Sequence, residues 1–533
     1  MTGIAAGKTW SRIGPEVAPT SSSASGVWTL QEYSENQGAG TWPNPTLGWV
    51  AWWTAPNGSP QGINMNVALD VDSNGNVAFQ YISADASQSP TARFITVNYI
   101  DGAAETQTWA RNQGVNSSTT GLQKYFGGDS PGVIFDSSDE VVTSAATISL
   151  TNNDGWYGVT SAQQARAFVL MNWNKTNGNQ LNYSKIMLRA AQYGYTTGSI
   201  CKGAQTSSTI FSSMWESDSG TLAIHQTSKS NGTAVSTQTW NSPSGGSGMI
   251  NGGGGNNGYA VGAGYAWTTH GGANQMYHAT YLTNVPGSAS NGNSYNLYIT
   301  SQPTLPTYGY SATRNSNGTA MYCTLENETN TPCASIVKIN ESSNAITWQQ
   351  TYKGTAVNNY AKPRGVCADS SENTYTVGYV EANTNGLAGY HTFIIKHNSA
   401  GVRQWTRILD FVVGGSTVEN YGKDISVDAA GEYIYVGTVC YTGGTGMVPI
   451  ALKLATDGTG TGSTVTSGTI TTVHYFDGAT HMVSGFNGNA GALSIQTNYM
   501  NNSGSDYIYQ TDTGLPQTNT SNPTPPALNL EGV

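Results

Sequence analysis

Apolar and polar positions along this chain recur in a fixed order. A short apolar strand leads into a polar turn of Asp, Asn, Ser and Gly, a β-branched or aromatic strand follows, and a later strand ends near Trp. "VALDVDSNGNVAFQYIS" from Val67, with "ARFITVNYIDGAAETQTWAR" behind it, is the first copy, and "GVIFDSSDEVVTS" from Gly132 opens the second. The clearest copies come late: "GYSATRNSNGTAMYCT" from Gly309, "GVCADSSENTYTVGYV" from Gly365 with "TFIIKHNSAGVRQWTRIL", and "DISVDAAGEYIYVGTV" from Asp424 with "PIALKLATDGTG". Turn starts at Arg314, Asp369 and Asp428 lie 55 and 59 residues apart, which suits four-stranded blades with long loops. No copy could bury its apolar face alone, whereas copies stacked radially could. The expected fold class is all-β, a β-propeller-like repeat body of about six or seven blades. Some blades are expected to be degenerate, above all between about 190 and 300, where "GGSGMINGGGGNNG" stands in place of a strand pattern. The expected division is an N-terminal segment over 1–60, the repeat body over 61–465, and a C-terminal β segment with a Pro/Thr/Asn tail over 466–533.

One stretch has a different periodicity. In "SASGVWTLQEYSENQGAGTWP", residues 23–43, Thr29 can act as an N-cap with Glu32 three residues on, and Trp28 and Tyr33 can close a hydrophobic staple. Gly38 supplies the stop, so a short helix is expected here.

Composition narrows the partners. Charged residues are only 10% of the chain, and the 65 glycines with abundant Ser, Thr and Asn fill turn-rich runs. The 30 Tyr, 14 Trp and 10 Phe argue against disorder. A net charge of −10 with 21 Lys+Arg leaves no basic cluster for nucleic acid or an anionic membrane. The first residues, "MTGIAAGKTWSRIGPEV", contain no apolar run of signal-peptide length, and no window approaches a membrane span, so neither secretion by that route nor membrane insertion is expected.

Two resemblances give these patterns a context. The units "GVCADSSENTYTVGY…TFIIKHNSAGVRQWTR" and "DISVDAAGEYIYVGT…PIALKLATDG" resemble bacterial β-propeller repeats of the pattern "GIAVDSSGNVYVTG" then "AFLVKLDSSGNVLWTR". The stretch "SGVWTLQEYSENQGAGTWP" is similar to a short module near the start of tail-fibre and other virion proteins of tailed phages, on Gly26, Val27, Trp28, Thr29, Leu30, Glu32, Ala39, Gly40, Trp42 and Pro43. That resemblance implies a non-enzymatic structural component of a phage virion, a tail fibre or related appendage, assembled in the host cytoplasm. Its attachment or interface residues would be Trp28, Thr29, Leu30, Glu32, Tyr33, Trp42 and Pro43, docking on other virion proteins. Self-association and contact with a host surface glycan or protein are expected with it. The alternatives are a bacterial surface adhesin or lectin with a propeller and a polysaccharide-degrading enzyme.

Candidate chemistry is sparse. "GDSPG" around Ser130 has nucleophile-elbow spacing, but Pro131 and a β run follow where a helix is required, so no catalytic residue is assigned. Asp70, Asp72 and Asn74 in "DVDSNGN" match the first half of a calcium loop, yet Tyr81 occupies the position of the closing glutamate; calcium is the only cofactor candidate, and a hairpin turn explains the same residues. Paired carboxylates such as Asp424 with Asp428 sit by turns and are expected to be solvated. Trp49, Trp52 and Trp53 could stack on sugar rings or form an interface, with a core plug as the competing reading. Cys323 and Cys333 flank a hairpin and could be bridged, against free buried thiols.

Overall fold

The computed structural model describes the strands named below, from residues 17–20 to 527–532, together with their tight turns. Residues 1–16, 26–47, 55–66, 150–164 and 513–526 and several shorter loops lie outside the described residues. The expected helix is therefore outside them, and no helix occurs among the described residues. Ser23–Ser25 pairs with Val17–Thr20 in a small antiparallel ribbon.

The body is all-β and propeller-like. Strand pairing groups the described strands into successive antiparallel units of four, two of which are joined in one ten-stranded sheet. Their first strands are Val67–Val71, Gly132–Phe135, Thr196–Lys202, Gly248–Asn256, Thr307–Arg314, Ala361–Ala368 and Asn420–Val427. Each first strand packs against the next, and the seventh returns to the first, so the units surround a central channel. The stretch expected to be degenerate supplies units 3 and 4. There the glycine run lets two first strands meet as a hydrogen-bonded parallel pair, Cys201 opposite Gly253 and Lys202 opposite Gly254.

Two turn devices repeat around the ring. At the first hairpin an Asp or Asn closes the turn on itself. Asp72 Oδ1 accepts from Asn74 N and Asn76 N at 2.8 Å, and Asp369 Oδ1 from Ser371 N and Asn373 N at 2.9 Å. Asn315 holds the same place in unit 5 through Thr319 N and Ala320 N, so the turn starts one residue after Arg314. At the hairpin of the third and fourth strands a bulge precedes a Trp on the fourth strand, and that Trp reaches the next unit. Trp109 Nε1 donates to Lys175 O at 2.7 Å, Trp348 Nε1 to Ser399 O at 3.2 Å and Trp405 Nε1 to Thr456 O at 3.2 Å. Under each indole lies a positive-φ turn glycine, Gly178, Gly401 or Gly458, whose added Cβ would stand 2.6–2.8 Å from the ring. The turn requires glycine twice over, for its φ and for the indole above it.

The ring is closed by chain ends. Trp49–Thr54 is the fourth strand of unit 7, antiparallel to Met447–Ala455, with Ala51 opposite Ala451. Alternation sends Val50 and Trp52 into the core shared with unit 6, among Val377, Ile394 and Leu409. Trp49, Ala51 and Trp53 face unit 1, among Val67, Leu69 and Phe79. Trp53 stacks on Phe79 with centroids 4.5 Å apart and donates from Nε1 to Asn98 Oδ1 at 3.0 Å. These indoles are 0–1% exposed, which corrects the ligand-stacking and interface readings of Trp49, Trp52 and Trp53 in favour of a core plug. Burial at this level contributes about 2–3 kcal/mol per large side chain.

Strands after residue 466 run round the rim in reverse order. Ile470–Asp477 pairs on unit 6, Met482–Ser484 on unit 5, Leu493–Tyr499 on unit 4, Asn501–Asn502 on unit 3 and Tyr507–Asp512 on unit 2. Ala527–Gly532 then covers Trp49–Thr54. The expected boundaries at 60 and 466 thus cut through shared sheets. Cys323 and Cys333 are both buried and neither is in a disulfide. Cys323 stands opposite Val337 and Cys333 opposite Asn327, four positions apart along the ladder, roughly 13 Å and beyond disulfide reach.

Replacing Gly401 by alanine should lower stability by about 2 kcal/mol, from the positive φ and the indole of Trp348 together. Gly414→Ala, also at positive φ but with nothing within 4 Å, isolates the backbone part. Urea midpoints that fall equally for both would contradict the indole contact.

Candidate binding site in the central channel

In units 1, 2, 5, 6 and 7 the first strand ends in a turn closed by Asp or Asn. Five residues before that turn, units 5, 6 and 7 each carry a β-bulge. The register steps from Gly309 to Ser311, from Pro363 to Gly365 and from Gly422 to Asp424, leaving Tyr310, Arg364 and Lys423 as the extra residues. Glycine or proline precedes each one, since proline donates no ladder hydrogen bond and glycine accepts the bend. Three neighbouring units therefore present one extra side chain each at the same height.

These side chains meet. The guanidinium of Arg364 lies over the Tyr310 ring, 3.8 Å from its centroid, and donates to Tyr379 Oη at 2.9 Å. Lys423 Nζ stands 5.7 Å from the centroid of the same Tyr379 ring and 5.8 Å from that of Tyr421. Tyr379 meets Tyr421 edge to face at 5.0 Å and Tyr390 at 5.6 Å. Tyr310, Arg364, Tyr379, Tyr390, Tyr421 and Lys423 all keep partial solvent exposure. Burial, and after it the neighbouring Arg364 charge, push the Lys423 ammonium down to about 7. The carboxylates nearby are engaged: Glu326 accepts from Tyr310 Oη at 2.8 Å and pairs with Lys362 at 2.9 Å, and Glu419 accepts from Tyr421 Oη at 2.8 Å.

A second tier lies closer to the turns. Lys202 Nζ pairs with Asp424 Oδ2 at 2.6 Å, and Asp424 Oδ2 also accepts from Leu69 N at 2.9 Å, tying unit 7 to units 3 and 1. Asp70 Oδ2 accepts from Phe135 N at 3.0 Å, while its Oδ1 accepts from Ser426 Oγ at 3.1 Å. Burial raises the Asp70 carboxyl, against the opposing pull of Lys202. The acids thereby satisfy backbone N–H groups on first strands whose channel edge has no ladder partner.

The sequence-derived site residues fall differently. Asp72 spends both oxygens on Asn74 and Asn76 within its own turn, and Asp70 faces Phe135 and Ser426 instead. Asp70, Asp72 and Asn74 therefore do not converge as a calcium loop requires. Asp424, expected to be solvated, is half-buried and ion-paired. Trp28, Thr29, Leu30, Glu32, Tyr33, Trp42 and Pro43 lie outside the described residues. Missed altogether were Tyr310, Arg364, Lys423 and Lys202. A signal for the first three was present: "GYSATRN", "PRGVCAD" and "GKDISVD" each place Gly or Pro six residues before the turn acid or amide.

No family model matches the chain, and no curated protein does. Among solved structures it is similar to a protein of unknown function from Dyadobacter fermentans, at 8% identity and a TM-score of 0.43 over 77% of this chain and 100% of that one. An α-L-arabinanase from Penicillium chrysogenum complexed with arabinobiose aligns at 10% identity and TM-score 0.37 over 77% of this chain and 98% of that one. An intramolecular trans-sialidase from Ruminococcus gnavus aligns at 8% identity and TM-score 0.37 over 75% of this chain and 96% of that one. Likeness at this level carries no argument for what this chain does. Two of these proteins are enzymes by name, and the expectation that this chain is not an enzyme is withdrawn.

Lys423 yields a pH signature. With its folded value near 7 and the ordinary value at 10.5, the unfolded chain holds the proton through that interval and the folded chain does not. Stability from this residue should then rise with pH between the two values. Comparing urea midpoints of the protein and of Lys423→Met from pH 6 to 9.5, the difference should move in favour of Lys as pH rises; a flat difference contradicts the assignment.

Proposed function

We propose that this chain is a host-contacting propeller of a tailed-phage particle, its seven units forming the blades of one closed ring and its channel mouth contacting a ligand on the host. The observation that carries the contact surface is the register-matched triplet of bulges. Three neighbouring strands interrupt their ladders at one height and bring Tyr310, Arg364 and Lys423 together beside three more tyrosines. Interruptions at one height place polar and aromatic groups side by side on rigid elements, as a binding surface requires. The phage setting rests on the likeness of Gly26–Pro43 to virion attachment modules. Weak single contacts would combine through several copies on one particle.

A polysaccharide-cleaving enzyme is the second reading, and one observation favours it. Asp70 is held toward its protonated form by burial while Asp424 nearby is paired with Lys202, an asymmetry of the kind that acid and base pairs use. Release of reducing sugar from host envelope, abolished by Asp70→Asn, would establish it.

Removing residues 1–45 spares Trp49–Thr54, so the truncated body should fold yet fail to join the particle. Mass spectrometry of purified virions reads this directly: normal copy number for the truncated chain, or no copies of the intact one, would end the proposal.

A further inference from the structure

We propose that the bulge tier binds a carboxylate-bearing sugar, with Arg364 and Lys423 taking the carboxylate and the tyrosine faces taking the ring. This rests on the reading of the channel mouth as the contact surface. Both cations lie over Tyr379, Arg364 Cζ at 5.1 Å and Lys423 Nζ at 5.7 Å from its centroid, yet neither makes an ion pair among the described residues. The acids that might neutralise them are committed, Glu326 to Tyr310 and Lys362 and Glu419 to Tyr421. Lys423, taken partly out of water beside the Arg364 charge, is poorly solvated, and an arriving anion relieves that penalty.

Geometry narrows the anion. Arg364 uses its guanidinium for one good hydrogen bond, to Tyr379 Oη at 2.9 Å, and one long contact to Pro363 O at 3.4 Å. Stacking on Tyr310 fixes its plane, leaving further N–H groups in a rigid fork of the shape that a planar carboxylate accepts. Tyr379, Tyr390 and Tyr421, with centroids 5.0–5.7 Å apart, form a wall that is apolar on its ring faces and polar at its hydroxyls. Free phosphate would answer the charges and leave that wall unused. A neutral sugar would use the wall and leave the cations unanswered. An acidic sugar satisfies both.

Calorimetric titration of the full-length protein with a glucuronate-containing disaccharide, its neutral glucose counterpart and inorganic phosphate at equal ionic strength tests this. The uronate should bind at least about tenfold tighter than either control, and Arg364→Gln and Lys423→Met should each remove about tenfold or more of that affinity. Lys423→Met takes away a poorly solvated charge and should keep the native circular dichroism spectrum, so it decides the matter should Arg364→Gln not fold. Equal binding of the neutral sugar, phosphate binding as tight as uronate, or unchanged uronate affinity in Lys423→Met overturns the inference. Particles carrying Lys423→Met that adsorb normally, with uronate failing to bind the protein, overturn it and leave the host-contact reading standing.

Discussion

A ring of sheets has one weak joint, the place where its last member must meet its first, and here the joint is a strand of six residues, Trp49–Thr54. It sits at the outer edge of unit 7, opposite Ile450–Leu452 on one side and Ala527–Gly532 on the other. Both faces are apolar because both are buried: Val50 and Trp52 pack toward unit 6, Trp49 and Trp53 toward unit 1. Closure therefore joins residues about 400 apart in sequence, a contact that is costly in loop entropy and that only the completed ring rewards. The rim strands add to it, returning through units 6, 5, 4, 3 and 2 before covering the closing strand itself. Between units 1 and 2, 5 and 6, and 6 and 7 the fastening is local, an indole resting on a turn glycine and donating to a turn carbonyl.

Once the ring is closed, its axis becomes the chemistry-bearing place. The first strands of units 1 and 2 present an unpaired inner edge, and Asp424 and Asp70 answer it by accepting N–H groups from Leu69 and Phe135 of neighbouring units. Farther from the turns the same strands bulge, and the extra residues gather two cations among tyrosines. The lower tier ties unit 7 to units 1 and 3.

Much of the fold was legible, because turn acids and β-branched runs are local signals: the late copies from Gly309, Gly365 and Asp424 are units 5, 6 and 7 with their turns one residue or less from the expected place. Units 3 and 4 were hard to read, since a glycine run signals a turn by composition and becomes a strand through pairing with Tyr259–Thr268 and with a neighbouring first strand. The Trp49–Thr54 strand gave an aromatic cluster but no partner, as its partners lie at the far end of the chain. Channel residues were least visible. Lys202 and Asp424 are separated by 222 positions and meet only through closure, and a bulge is an event in the pairing of two strands rather than in either alone.

Native-state hydrogen exchange on the intact protein tests the closing strand most directly. If Trp49–Thr54 seals the ring, its amides should exchange only through global unfolding, with the same protection as Ile450–Leu452 and the same dependence on denaturant. Exchange of Trp49–Thr54 at the rate of free peptide, while the Ile450–Leu452 amides stay protected, would contradict the account.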